Sequence, residues 1–188
     1  GDNAIKVQGQ DIREKVRVRK TSAVVIFVVD ASGSMGAVRR MESAKGAVLS
    51  MLMDSYQKRD KIGMVAFKGK DAELLLPPCS SVDQALSRLS ELPTGGRTPL
   101  SAGLSKGLQI LKSEMTKNQE VKPMMVLISD GRANVSLGGK IRDEIKEISE
   151  RTKEAGVHTI VIDTEVVESS FMDMRLGYCR DVADAAGG

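Results

Sequence analysis

Residues Ala23 to Val29 are an unbroken apolar run, and the run ends on Asp30. Such a run, rich in β-branched residues and with no polar alternation, needs cover on both faces. That is the mark of a central strand in a parallel sheet enclosed by helices. Two later runs, Met124 to Ser129 and Val157 to Ile162, have the same character and predict two more buried strands. Between them the period changes. Met41, Ala44, Ala47, Val48, Met51 and Leu52 recur at helical spacing through about Tyr56. Leu100, Leu104, Leu108 and Leu111 predict a helix that opens at Pro99 and runs to about Met115. Ile141, Ile145 and Ile148 predict another, ending near Ala155-Gly156, where glycine is the expected cap.

Lys61 to Phe67 and Glu73 to Leu76 read as two strands joined through the Gly69-Lys70-Asp71 turn, a hairpin that Pro77-Pro78 is expected to stop. Further helices are predicted from Val82 to Leu92 and from about Leu176 to Ala186. Strands alternating with helices predict an α/β fold. The expectation is a doubly wound, mostly parallel sheet with one antiparallel edge strand and helices on both faces. The chain stops at Ala186-Gly187-Gly188, where a further strand is expected, so the last βα unit is expected to be missing.

The bulk numbers narrow the function. The 188 residues suit one domain, and with 3% aromatic residues and no Trp its core must be aliphatic, methionines included. A net charge of +3, with Lys and Arg interspersed among Asp and Glu, argues against nucleic acid. Residues 1–20 form a polar segment, basic from Arg13 to Lys20, that reads as an extended linker or a docking strip. The domain proper is expected over 21–188. Cys79 and Cys179 suit a reduced, intracellular protein. No run approaches the ~20 apolar residues that cross a bilayer. Because the chain opens on Gly1, it is expected to be a segment of a longer protein.

In an open parallel sheet, ligands bind beyond the carboxyl ends of the strands where the winding reverses. Asp30 ends the first strand and Asp130 follows Met124 to Ser129. The glycine-rich loop from Pro93 to Pro99 brings Thr98 to the same edge, and Ser32 and Ser34 follow Asp30 at two-residue intervals. All five groups are oxygens, which selects a hard cation, Mg²⁺ or Mn²⁺, over Zn²⁺. Ser32, Ser34 and Thr98 suit direct ligation, with Asp30 and Asp130 holding waters; Gly33 lets the loop turn. Enzymatic readings fare badly. A phosphotransfer aspartate of the haloacid-dehalogenase kind needs a second acid where Ser32 stands. No G-x-S-x-G elbow accompanies the one histidine, His158, which reads as a core or sheet-end residue, and no phosphate-binding G-x-x-x-x-G-K-[ST] loop is present.

Asp30-Ala31-Ser32-Gly33-Ser34-Met35, Gly95-Gly96-Arg97-Thr98-Pro99-Leu100 and Ser129-Asp130-Gly131 together resemble the von Willebrand factor A, or integrin I, domain. The resemblance implies a metal-ion-dependent adhesion site made by Asp30, Ser32, Ser34, Thr98 and Asp130. Arg40-Met41, Ala44-Lys45-Gly46-Ala47, Arg59-Asp60-Lys61, Ala66-Phe67-Lys68-Gly69, Ala72 to Pro78, Leu92 to Gly96 and Ser129 to Asn134 narrow it, over residues from about Arg17 to the end. They are similar to the C-terminal domain of the D subunit of magnesium chelatase. That family inserts Mg²⁺ into protoporphyrin IX, in tetrapyrrole and chlorophyll biosynthesis, with ATP hydrolysis supplied by an I subunit and the porphyrin carried by an H subunit. The resemblance implies a cytoplasmic, non-catalytic docking domain that follows an ATPase-like domain and binds an acidic side chain of the other subunits. Cobalt chelatases share this domain, and an adhesin or assembly-factor role is the alternative. Arg132 and Asn134, beyond Asp130, are expected to be loop-forming residues or partner contacts.

Overall fold

The computed structural model describes residues 22–32, 35–55, 60–88, 95–164 and 177–187. The basic segment 1–20, Gly33, Ser34, the end of the helix expected over Val82 to Leu92, and the stretch 165–176 lie outside the described residues. Five strands form one sheet: β1 (Ala23–Asp30), β2 (Lys61–Lys68), β3 (Asp71–Cys79), β4 (Lys122–Ser129) and β5 (His158–Asp163), in the order β3-β2-β1-β4-β5. β1 runs parallel to β2 and β4, β4 runs parallel to β5, and β2–β3 is the antiparallel hairpin. The helices are α1 (Met35–Ser55), α2 (Val82–Arg88), α3 (Leu100–Lys117), α4 (Ile141–Glu154) and α5 (Cys179–Ala186). The doubly wound fold expected from the sequence is the one observed.

Strand periodicity divides the core in two. Val25, Phe27 and Val29 of β1 face one layer, where Met41, Ala44, Val48 and Leu52 of α1 and Ala85 of α2 cover them. Val24, Ile26 and Val28 face the other, against Leu100, Leu104, Leu108 and Leu111 of α3, Ile145 and Ile148 of α4, and Val182 of α5. Each fully buried side chain of this size contributes about 1.5–3 kcal/mol. Such burial holds β1 rigidly at the centre, so Asp30 is presented from a fixed strand end. From β1 the chain winds outward through α1 to β2 and β3, then returns through α3 to β4 on the other side of β1. The winding therefore reverses between β1 and β4.

Two expectations are corrected. β3 is not stopped by Pro77-Pro78 but runs through both to Cys79. The register explains it. Leu76 pairs with Met64 and Cys79 with Ile62, so the two prolines oppose Gly63 alone in a bulge on an edge strand, where a missing amide proton is tolerated. Gly63 is required there, since a Cβ would lie 2.8 Å from Ile26 Cδ1 and 3.0 Å from the Leu76 carbonyl oxygen. The second correction concerns β5, expected to be buried on both faces. It has one neighbour among the described strands, and Ile160 and Ile162 are exposed. His158 opens this strand and is exposed, so it is a sheet-end residue and not a core one. Neither cysteine is disulfide-bonded. No helix among the described residues is long and apolar enough to cross a membrane.

Candidate metal centre

The reversal of winding puts Asp30 and Asp130 at adjacent strand ends. Val29 of β1 pairs with Ile128 of β4, so the next residue on each strand is Asp30 and Ser129. Asp30 is fully buried, a costly place for a carboxylate unless its oxygens are bonded. Its Oδ1 accepts the Ser32 amide at 2.9 Å, and its Oδ2 accepts the Ser129 hydroxyl at 3.0 Å. Ser129 Oγ in turn accepts the Gly131 amide at 3.0 Å. Asp130 repeats the local pattern, its Oδ1 accepting the Arg132 amide at 3.1 Å. Each aspartate thus spends Oδ1 on its own loop and keeps Oδ2 facing inward.

The guanidinium of Arg40 lies against both inner oxygens. Nη2 is 3.7 Å from Asp30 Oδ2 and Nη1 is 3.7 Å from Asp130 Oδ2, while Nε donates to the Asp30 carbonyl at 3.4 Å. Thr98, also buried, arrives on a loop tied to both of its neighbours. Gly95 donates its amide to the Ala31 carbonyl at 2.7 Å, and the Thr98 amide donates to Asn134 Oδ1 at 2.8 Å. The Asn134 amide donates back to the Thr98 carbonyl at 3.2 Å. Asn134 is therefore a loop-forming residue. Farther along, the Glu144 carboxylate accepts the amides of Leu137 (2.9 Å), Gly138 (3.0 Å) and Gly139 (2.7 Å). Desolvation pushes this carboxyl up, but the amide donors outweigh it and hold it below the usual glutamate range.

α5 closes the back of the site. The Tyr178 amide donates to the Gly131 carbonyl at 2.8 Å, and the Cys179 thiol donates to the Ser129 carbonyl at 3.4 Å. Gly131 has φ +73°, and a Cβ there would meet the Tyr178 amide nitrogen at 2.7 Å, so both its conformation and its crowding demand glycine. The cysteine thus packs and bonds within the fold.

The structure brings Asp30, Ser32, Thr98 and Asp130 to one edge of the sheet; Ser34 lies outside the described residues. Among the described residues no three His, Cys, Asp or Glu side chains come together. A cation here would rest on hydroxyls, water and two carboxylates. That oxygen set suits Mg²⁺ or Mn²⁺. Arg40 Nη2, buried between the carboxylates, has no hydrogen-bond partner among the described residues. Sequence reasoning assigned no role at the site to Ser129 or to Arg40. Both stand in motifs that carry the family resemblance, Ser129-Asp130-Gly131 and Arg40-Met41, but those motifs gave neither side chain a part in the site.

Comparison with known proteins accords with this geometry. The profile of the von Willebrand factor type A domain matches residues 25–132, and the chain belongs to that family. It is 43% identical over 153 residues to the uncharacterized protein MJ0910 of Methanocaldococcus jannaschii, covering 81% of this chain and 86% of that one. It is 39% identical to the magnesium-chelatase 67 kDa subunit of Heliobacterium mobile, over 99% of this chain and 28% of the subunit. The 60 kDa subunit of Cereibacter sphaeroides is 40% identical, over 87% of this chain and 30% of the subunit. The chain therefore spans under a third of the chelatase subunits it matches. Among solved structures, the SpRpn10 VWA domain superposes with a TM-score of 0.66 at 14% identity, over 88% of this chain and 82% of that one. Manganese-loaded TRAP of Plasmodium vivax gives 0.62 at 17%, over 88% of this chain and 63% of that one. At these identities the likeness is one of fold.

Proposed function

We propose that this domain is a metal-dependent docking module of an ATP-driven magnesium chelatase, the cytoplasmic machine that inserts Mg²⁺ into protoporphyrin IX. The supporting observation is the likeness to magnesium-chelatase subunits along 99% of the chain; the position of Asp30, Ser32, Thr98 and Asp130 near the reversal of winding supports the metal part of the reading. Ser32, Ser34 and Thr98 would hold Mg²⁺ or Mn²⁺ directly, and Asp30 and Asp130 would orient its waters. Neutral hydroxyls leave the ion most of its charge, so it supplies an electrophilic point for a carboxylate of a partner. Residues 1–20 would lead in from an ATPase-like domain, and the partners would be the I-type ATPase and H-type porphyrin-binding subunits. Insertion itself would take place elsewhere in the assembly, and the same role would serve a cobalt chelatase.

The test is a pull-down of purified I-type and H-type subunits by this chain in Mg²⁺ and in EDTA. Capture in Mg²⁺ is expected to disappear in EDTA and in a Ser32→Ala, Thr98→Ala double variant that keeps its circular dichroism spectrum. Capture unchanged in that variant refutes the reading. A second reading, an independent A-domain adhesin or assembly factor, is favoured by one observation. The Methanocaldococcus relative is 86% covered, so a closely similar domain occurs with little else attached.

A further inference from the structure

Arg40 carries more meaning than a brace. Its side chain is 7% exposed, yet neither terminal nitrogen comes within hydrogen-bond distance of the carboxylate it faces. A buried guanidinium beside one carboxylate ordinarily closes to a short bidentate pair. Here it stands 3.7 Å from each of two carboxylates on different loops, anchored by the Nε bond to the Asp30 carbonyl, and Nη2 finds no hydrogen-bond partner among the described residues. The guanidinium divides one positive charge between two negative ones.

The geometry points to Arg40 as the internal counterion of the metal site, which lowers the affinity for a free divalent ion and couples that ion to an acidic ligand. This rests on the metal reading above. The charge count carries it. Asp30, Asp130 and Arg40 together hold one net negative charge, and a divalent ion turns that into one net positive charge. A single carboxylate from outside brings the loaded site to neutrality. Without Arg40 the loaded site is already neutral, so the ion binds more tightly and gains less from the carboxylate. The same arginine holds the two aspartates against their mutual repulsion when no ion is present, so the loops keep their places. Arg40 is thus a positioning residue that makes metal and acidic partner bind together and poorly apart.

The test is calorimetric titration of Mn²⁺ into the 188-residue chain, with and without acetate as the probe carboxylate, for wild type, Arg40→Gln and Arg40→Lys. Arg40→Gln is expected to bind Mn²⁺ about tenfold or more tightly than wild type, and Arg40→Lys, which keeps the charge, to stay within about threefold. Acetate is expected to tighten Mn²⁺ in wild type and Arg40→Lys and to do so less in Arg40→Gln. If Arg40→Gln folds and binds Mn²⁺ no more tightly than wild type, Arg40 is only a brace and the inference falls. If Arg40→Gln does not fold, wild type decides: no tightening by acetate overturns the coupling. Failure of wild type and both variants to bind Mn²⁺ at all overturns the metal reading and takes this inference with it, whereas binding by Arg40→Gln alone supports both.

Discussion

Replacing Ser129 with Ala is the sharpest probe of how the site is held together. The hydroxyl is fully buried, donates to Asp30 Oδ2 at 3.0 Å and accepts the Gly131 amide at 3.0 Å. Removing it deletes a hydrogen bond to a charged acceptor, worth about 1.5–3 kcal/mol, and leaves a buried amide short of a partner at about 1–3 kcal/mol. With some relaxation the loss should be about 3–4 kcal/mol. For a chain of this size each kcal/mol moves Tm by roughly 2–4 °C, so a fall of roughly 6–16 °C is expected. The measurement is thermal and urea unfolding of the metal-free chain, followed by circular dichroism. A double-mutant cycle isolates the cause. In an Asp30→Asn background the acceptor is neutral, so the cost of Ser129→Ala should shrink by about 1 kcal/mol. A Ser129→Ala loss below about 1 kcal/mol, or the same loss in both backgrounds, would show that the serine–aspartate bond does not hold the strand ends together.

Two further outcomes follow from the packing and the loop electrostatics. Gly63→Ala should cost about 1–3 kcal/mol, because the new methyl meets the Ile26 side chain and the Leu76 carbonyl oxygen of the bulged strand, and the backbone oxygen cannot step aside; urea unfolding of the variant reads it. Glu144→Gln should destabilise the chain at neutral pH and progressively less in acid. The wild-type carboxyl titrates below its unfolded range, so its contribution is full above the ordinary glutamate range and is lost as pH falls through the lowered folded value. Unfolding curves at matched pH for both proteins check this, and a difference between them that does not change with pH would count against it.

The fold was legible wherever a segment buries one continuous face. Val24 to Val29 left no alternative to a central strand, and the leucines of α3 lie on the face their spacing implied. What misled was chemistry that depends on a neighbour. Pro77-Pro78 ends a strand by local rules, yet here it sits in an edge-strand bulge whose one opposing residue is a glycine. Val157 to Ile162 has the composition of a strand covered on both faces, but exposure is decided by what lies alongside, and β5 has β4 on one side only among the described residues. The candidate site divides in the same way. Residues following a strand end, Asp30, Ser32 and Asp130, could be placed from topology. Arg40 and Ser129 could not, because their part is defined by partners ninety-nine residues away, for Ser129, or across a helix–strand crossing, for Arg40.

The bonding of these loops also bears on what a cation would do here. The loop before Thr98 is fastened to Ala31, Thr98 itself to Asn134, Asp30 to Ser129, and Gly131 to Tyr178, all by protein atoms. Arg40 already answers part of the aspartates' charge. A structural metal site works otherwise: its ligands are brought together by the ion, and the binding energy becomes folding energy. On the proposed metal reading, the described parts of these loops are already held by protein atoms, so little of an ion's binding energy would be needed to order them. Most of it would then remain for the next contact, which on the proposed charge count is a carboxylate. On the proposed reading, the bonding of the described loops and the arginine between the aspartates would favour the same outcome, an ion whose chief consequence is the capture of an acidic partner.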